Sequence, residues 1–412
     1  MSQYFHSVVL DEKLCMGCTN CMQRCPMEAI RVKDRKAIID KERCIDCGEC
    51  IRVCPYHAQK SVTDNIDIIK DFKYKVALVP ITIYGQFEDN TKMDRVFEAI
   101  KNMGFDYVYD EAVFADLASI MVKDELRNKK IDGPLISSHC PAVIRLIQAR
   151  FPELIENLVT VESTVEIGGR MIRRELKEEL NCEDSDIGIV YISPCTARVT
   201  SVKRPLGIWY SALDGAVSFK DIYGDLVRNL KVINESSSYR KGNLEGVRWA
   251  FLGGQSESIN SHKYVAVDGI FNVIDVLEAV EMGKLDSVEY IEASACVGGC
   301  VGGALNIENP YIAIGRLKHL EVINHGNLKY DEEQVLRMLR SGFMHWDKEI
   351  VPIEIMPLDD NLVKAMQKIE ELDKIVKMLP GLDCGSCGAP SCRAFAEDIV
   401  RGFAKIEDCK FR

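Results

Sequence analysis

Glu292-Ala293-Ser294-Ala295-Cys296-Val297-Gly298-Gly299-Cys300-Val301-Gly302-Gly303 sets two cysteines four residues apart, with glycine pairs between and after them. Glycine lets backbone approach a bulky group closely and reach φ > 0 where a side chain would clash. The preceding residues 288–291 read as a short buried strand. Cysteines on a glycine-rich turn just past a strand end suit the ligands of a metal cluster. Two packed core cysteines beside a flexible loop fit the stretch as well when it is read alone. The other cysteines decide between these readings.

At 412 residues the chain can bury a large core and divide into more than one domain. A net charge of −11 argues against a nucleic-acid partner. No apolar run is long enough for a membrane span, and the N-terminus lacks the basic and apolar regions of a signal peptide. A cytoplasmic location is therefore expected. Thiols stay reduced there, so seventeen cysteines point to metal binding rather than to disulfides.

Two matching runs lie near the N-terminus. Cys15-x2-Cys18-x2-Cys21-x3-Cys25-Pro26 repeats as Cys44-x2-Cys47-x2-Cys50-x3-Cys54-Pro55. This is the spacing of bacterial two-cluster ferredoxins, in which each run lends its fourth cysteine to the other cluster. It predicts one [4Fe-4S] cluster on Cys15, Cys18, Cys21 and Cys54, and a second on Cys44, Cys47, Cys50 and Cys25. Two clusters in one small module suit electron relay. Residues 56–72 contain no glycine or proline and read as an ordered connector.

From residue 73 the pattern becomes α/β. Strands are expected at 74–83, 105–109, 134–137, 187–192, 249–252 and 264–267, with helices at 91–103, 114–127, 143–151, 163–180 and 272–282. Alternating strands and helices imply parallel sheets covered on both faces, with ligands gathered at the strands' carboxyl ends. Cys140, Cys195 and the Cys296/Cys300 pair all follow predicted strand ends. Three strand ends can thus present four thiolates to one point, an argument for a metal site independent of the ferredoxin module.

Those cysteines also sit in recognisable motifs. The chain reads Ser137-Ser138-His139-Cys140-Pro141, then Ser193-Pro194-Cys195-Thr196-Ala197-Arg198, then the glycine-rich stretch quoted first. In this order they resemble the T-S-C-C-P, M-P-C-x-x-K and E-x-M-A-C-x-G-G-C-x-x-G motifs of [FeFe]-hydrogenase catalytic domains. The resemblance implies an α/β hydrogenase domain of two parallel-sheet lobes with flanking helices. It puts Cys140, Cys195, Cys296 and Cys300 on the cubane of an H-cluster. It further implies that Cys300 bridges to a di-iron subsite carrying CO, cyanide and a dithiolate bridge.

Departures from the family pattern matter as much. His139 stands where fast members carry the cysteine that passes protons to the di-iron site. Histidine titrates near neutrality and can shuttle a proton; being larger, it can instead bond a backbone group near the cluster. Val159 falls at the serine of the family's proton path, and Met121, Val122 and Lys123, with Asp124 and Glu125 nearby, stand in the region of its acidic residues. Ser193 and Ser294 replace two methionines that wall the di-iron site, so the pocket is expected to be wetter. Arg198 replaces a cyanide-binding lysine and keeps the positive donor. Ile81, behind Val79-Pro80, replaces a serine, and neighbouring Thr82 can stand in for it. The likeness is to the divergent, sensory branch, without the PAS domain that many of its members carry.

In the tail, Leu362, Met366, Ile369, Leu372 and Val376 are expected to share one helix face. Then follows Cys384-x2-Cys387-x4-Cys392-x16-Cys409, which looks like a small [4Fe-4S] domain of redox proteins. A four-thiolate zinc site is the other reading of that spacing. Sixteen of the seventeen cysteines fall in these sets, leaving Cys182 as an ordinary thiol. The expected layout is 1–70 two-cluster ferredoxin-like (α+β), 71–345 catalytic, 346–380 connecting helix and 381–412 C-terminal cluster domain. The implied cofactors are four [4Fe-4S] clusters and the di-iron subsite. The implied function is slow, reversible H2 oxidation and proton reduction, serving as a hydrogen or redox sensor. A non-catalytic cluster carrier or interaction module is the alternative. Expected partners are H2, protons, a redox or signalling protein and hydrogenase maturation proteins, with no nucleic acid and no membrane span.

Overall fold

A computed structural model describes residues 5–88, 90–128, 131–320, 330–355 and 357–412. The chain forms two compact units, Thr63–Pro352 and a second made from both ends, Met1–Val62 with Ile353–Arg412.

In the larger unit a four-stranded parallel sheet runs in the order Tyr107–Asp110, Tyr74–Val79, Ile187–Ser193, Gly215–Ser218. The two central strands are near-continuous apolar runs, as strands covered on both faces require. Residues Val76, Ala77, Leu78 and Val79 have no exposed surface. A second parallel sheet has the order Tyr264–Asp268, Tyr290–Ser294, Leu135–Ile136. These two sheets match the two-lobed α/β architecture expected from the sequence. Flanking helices begin where polar caps allow. Asp110 accepts from the Ala112 N–H at the head of Glu111–Arg127, and Ser163 does the same for Glu166 in Thr164–Leu180.

Two sequence expectations are corrected. Residues 249–252 are not a strand: Trp249, Ala250 and Phe251 donate to the carbonyls three residues back and prolong the turn of helix Leu244–Arg248. The strand expected at 74–83 stops at Val79, because Pro80 has no N–H for the ladder; a 3₁₀ turn, Ile81–Gly85, follows. The expected tail helix is present as Leu362–Met378; Leu372 and Ile375 are buried, while Leu362, Met366 and Ile369 are exposed. Strand Gly215–Ser218 went unseen because Gly-Ala-Val-Ser has little apolar pattern.

The smaller unit preserves the sequence repeat in its backbone. Gly17 and Asp46, Thr19 and Gly48, and Glu28 and His57 are equivalent pairs, and all six have positive φ. Antiparallel pairs join Val8–Leu10 to Gln59–Ser61 and Ile30–Lys33 to Lys36–Ile39. The C-terminal segment packs directly on this module. Arg31 grips Asp398 through two hydrogen bonds of 2.7 and 3.1 Å, Arg43 pairs with Glu397, and the Val32 N–H donates to the Gly388 carbonyl at 2.9 Å. A side chain at Gly388, where φ is +86°, would run into the Val32 carbonyl.

Candidate metal centre

Cys140 caps helix Pro141–Arg150 just beyond strand Leu135–Ile136, and Cys195 caps Thr196–Lys203 just beyond Ile187–Ser193. Cys296 follows Tyr290–Ser294, and Cys300 opens a 3₁₀ turn, Cys300–Gly302. All four line one cavity of about 480 Å³ at the carboxyl ends of both sheets. The glycines make this convergence possible. Gly299 has φ +85°, and a Cβ there would lie 2.8 Å from the Leu252 nitrogen. At Gly303 a Cβ would collide with the Pro194 carbonyl, so this glycine allows the loops of Cys195 and Cys300 to touch. Glu292 secures the stretch from below: its carboxylate accepts from Gly253 N, Ser256 N and the Ser256 hydroxyl, each at 2.8 Å.

Desolvation, then the neighbouring Cys296, pushes the Cys195 thiol up to about 12. Desolvation likewise raises Cys300 well above the usual range, with Cys195, Cys140 and Cys296 adding to it. Thiols so crowded hold their protons unless a positive centre replaces them.

His139 lines the same cavity, and its Nε2 lies 3.5 Å from the Cys300 sulfur. Desolvation, then Arg198, lowers its pKa to about 3, so the ring is neutral. Its edge meets Trp249 in a T-shaped contact at 5.3 Å. Arg198 also lines the cavity and donates to the His139 carbonyl at 2.7 Å. Burial disfavours the Arg198 charge, but Tyr191, Glu111, Cys195 and Cys300 outweigh it and raise its pKa.

Ser294, Ile81 and Thr82 are on the cavity wall, with Thr82 Oγ1 donating to Asn306 at 3.2 Å. Ser193 corrects the expectation of a wetter pocket at its position. It is fully buried, and its hydroxyl turns onto the backbone of Cys195, donating to the carbonyl at 2.8 Å. Neither Ser193 nor Pro80 is among the residues lining the cavity. The sequence reading missed Glu111 and Tyr191. Glu111 accepts from the Tyr191 hydroxyl at 2.9 Å, Ile81 N at 3.2 Å and the Thr164 hydroxyl at 2.5 Å, welding three elements into one wall. An acid directly after a strand, Asp110-Glu111, was the only signal for it.

Residues 73–224 and 225–304 match the family model for the iron-only hydrogenase large subunit, C-terminal domain, together more than half of the chain. The chain belongs to the iron-only hydrogenase family. It is 26% identical over 364 residues to the periplasmic [Fe] hydrogenase large subunit of Nitratidesulfovibrio vulgaris, covering 72% of this chain and 86% of that one. It is also 31% identical over 107 residues to the cytosolic Fe-S cluster assembly factor NAR1 of Candida dubliniensis, but that covers only 26% of this chain and 18% of the relative. The fold is similar to a variant of [FeFe]-hydrogenase HydA1 from Chlamydomonas reinhardtii, with TM-score 0.52 and 17% identity, covering 69% of this chain and 94% of that one. Residues 7–55 match a 4Fe-4S dicluster domain, and 379–411 match a putative Fe-S cluster domain.

This hydrogenase-family chain has a donor set that fits iron–sulfur clusters. In the smaller unit Cys25, Cys44, Cys47 and Cys50 line one cavity of about 360 Å³. The Cys21 thiol, raised first by desolvation, is raised further by Cys54, Cys18 and Cys15. Cys25 thus lies with Cys44, Cys47 and Cys50, and Cys54 lies near Cys21, Cys18 and Cys15. Backbone N–H groups already point at the sulfurs, Ala29 at Cys25 and Ala58 at Cys54, both at 3.3 Å. In the tail, Cys387 is raised by desolvation, with Cys384 and Cys409 near enough to add to it. Cys182 lies apart, its sulfur 3.9 Å from the Leu176 carbonyl. No helix among the described residues is long and apolar enough to cross a membrane.

Proposed function

We propose that this chain is an [FeFe]-hydrogenase of low turnover, catalysing 2H⁺ + 2e⁻ ⇌ H2, and that it acts as a hydrogen or redox sensor of the divergent branch. The observation that carries the reading is the convergence of Cys140, Cys195, Cys296 and Cys300 on one cavity whose wall continues to Thr82, Glu111 and Arg198. In this reading the four thiolates hold a cubane, and Cys300 also holds the di-iron subsite. When bound, that subsite supplies the chemistry of H2 cleavage and formation. The protein's part is to hold, orient and enclose it. Arg198 presents a buried positive charge and fixes the His139 loop, while Glu111 locks the Ile81 and Tyr191 side of the wall.

Low turnover follows from the altered positions. A proton relay needs groups that carry protons, and Val159 cannot. Electrons pass through the two ferredoxin clusters and the C-terminal cluster, which with the central cubane make four. The tail supports a relay with the ferredoxin module, because Gly385 in its cysteine loop packs against Met22 and Gln23, next to Cys21. Reduced thiols throughout suit the cytoplasm, and maturation proteins and a redox or signalling partner are implied.

The test is infrared spectroscopy of protein matured with the di-iron cofactor. Bands of metal-bound CO and cyanide that shift under H2 are expected. Their absence, after a maturation that loads another hydrogenase, removes the enzyme reading. The second reading is then a non-catalytic iron–sulfur carrier. The similarity to a cluster assembly factor over 107 residues favours it.

A further inference from the structure

Cys25 and Cys54 are equivalent in the repeat, and so are the residues five positions on, Ile30 and Gln59. Both open strands, Ile30–Lys33 and Gln59–Ser61, and both are 2% exposed. The two runs share a backbone contact to sulfur, Ala29 N to Cys25 and Ala58 N to Cys54. Their side chains differ. Gln59 Nε2 donates to the Cys21 sulfur at 3.5 Å, whereas Ile30 lines the cavity of Cys25, Cys44, Cys47 and Cys50 and has no side-chain N–H to offer. Gln59 Oε1 is buried with no hydrogen-bond partner among the described residues. A buried amide satisfied at one end only is costly. Ile30 shows that an apolar side chain fills this place in the fold, so the contact to Cys21 is what the glutamine adds. An iron-bound sulfur accepts and does not donate, which keeps Nε2 turned towards it.

We propose that Gln59 raises the reduction potential of the cluster on Cys15, Cys18, Cys21 and Cys54 above that of the cluster on Cys44, Cys47, Cys50 and Cys25, so that the first electron entering the module rests beside Cys21. The role rests on the two ferredoxin clusters of the reading above. Reduction by a low-potential one-electron donor adds one negative charge to the iron–sulfur core, with no bond made or broken and no proton moved. Hydrogen bonds to the sulfurs are among the determinants of such potentials. A hydrogen bond to a charged acceptor is about twice as strong as one to a neutral acceptor, so the bond from Gln59 strengthens as charge arrives. The amide is already aimed at Cys21, so no side chain has to turn when it does. Cys21 adjoins Met22 and Gln23, against which Gly385 of the C-terminal cysteine loop packs. The higher potential therefore lies on the side of the module that meets that loop.

Potentiometry followed by electron paramagnetic resonance, on the full chain reconstituted with iron and sulfide and mediated by viologens, tests the assignment. The signals of the two clusters are identified by their loss in Cys18→Ala and in Cys47→Ala. In the wild type the Cys18-dependent signal is expected at the higher potential, and the reverse order overturns the proposal. Gln59→Ile, which copies Ile30, is expected to lower that potential by about tenfold in the reduced-to-oxidised ratio, or ~59 mV for one electron, with iron content and the Cys47-dependent signal unchanged. A potential that Gln59→Ile leaves in place overturns the role. If Gln59→Ile loses iron, the reciprocal Ile30→Gln decides: a rise in the potential of the Cys47-dependent signal is expected, and an unmoved one overturns the proposal. Absence of either signal from the wild type overturns the ferredoxin-cluster reading instead, and the role of Gln59 falls with it.

Discussion

Replacing Asp398 by asparagine tests whether the C-terminal segment is held on the ferredoxin module by its buried ion pair. Arg31 and Asp398 have side chains only 15% and 11% exposed, so salt screens them weakly. Removing one partner of a buried pair costs about 3–5 kcal/mol, chiefly because the other charge is stranded. Here the asparagine oxygen still accepts one hydrogen bond and a little water reaches the pair, so we expect about 2–3 kcal/mol. At about 1.4 kcal/mol per factor of ten, the undocked population rises roughly thirty- to hundredfold. Amide hydrogen exchange reads this locally. Protection should fall by that factor in helix Cys392–Val400 and at Val32, whose N–H bonds the Gly388 carbonyl, and stay unchanged in the larger unit. Asp373→Asn is the control, since its pair with Arg393 is 53% and 67% exposed and worth little. A loss of protection below about threefold, or one spread evenly over the chain, refutes the reasoning.

Two further outcomes are expected. Cys25→Ser should cost the cluster held by Cys44, Cys47 and Cys50 while sparing the one on Cys15, Cys18 and Cys21; electron paramagnetic resonance of the reduced protein distinguishes the two, and loss of the first-run cluster instead contradicts the exchange of ligands. Gly303→Ala should push the Cys300 turn away from the Pro194 carbonyl and lower iron at the central site, with the ferredoxin clusters intact; unchanged iron content argues against the close approach.

The cysteine groupings were legible because iron–sulfur spacing is partly local. Three thiolates on one short loop leave a fixed spacing, and the repeat of that spacing survives in the paired positive φ angles. The parallel sheets were legible too, since strands buried on both faces read as apolar runs. The pocket wall was not. Glu111 became part of it by bonding Ile81, Tyr191 and Thr164, residues far apart in sequence. Ser193 reads as a polar replacement in the pocket, yet its rotamer turns the hydroxyl onto its own loop. Residues 249–252 look like a strand because they are apolar, but Trp249 is packed against His139 and donates to Ser119 at 2.9 Å.

The sequence by itself determined which thiols fall into groups with iron–sulfur spacing and which residue types stand beside them. Spacing and residue type suffice for that, because a ligand's identity does not depend on its surroundings. Only the tertiary structure decided where the remaining polar groups meet. Arg31 and Asp398 are 367 positions apart, and their contact joins the two chain ends into one unit. Gln59 meets the Cys21 sulfur through the packing of separate elements. Such pairings depend on how faces are turned towards one another, and no local pattern in the chain records that.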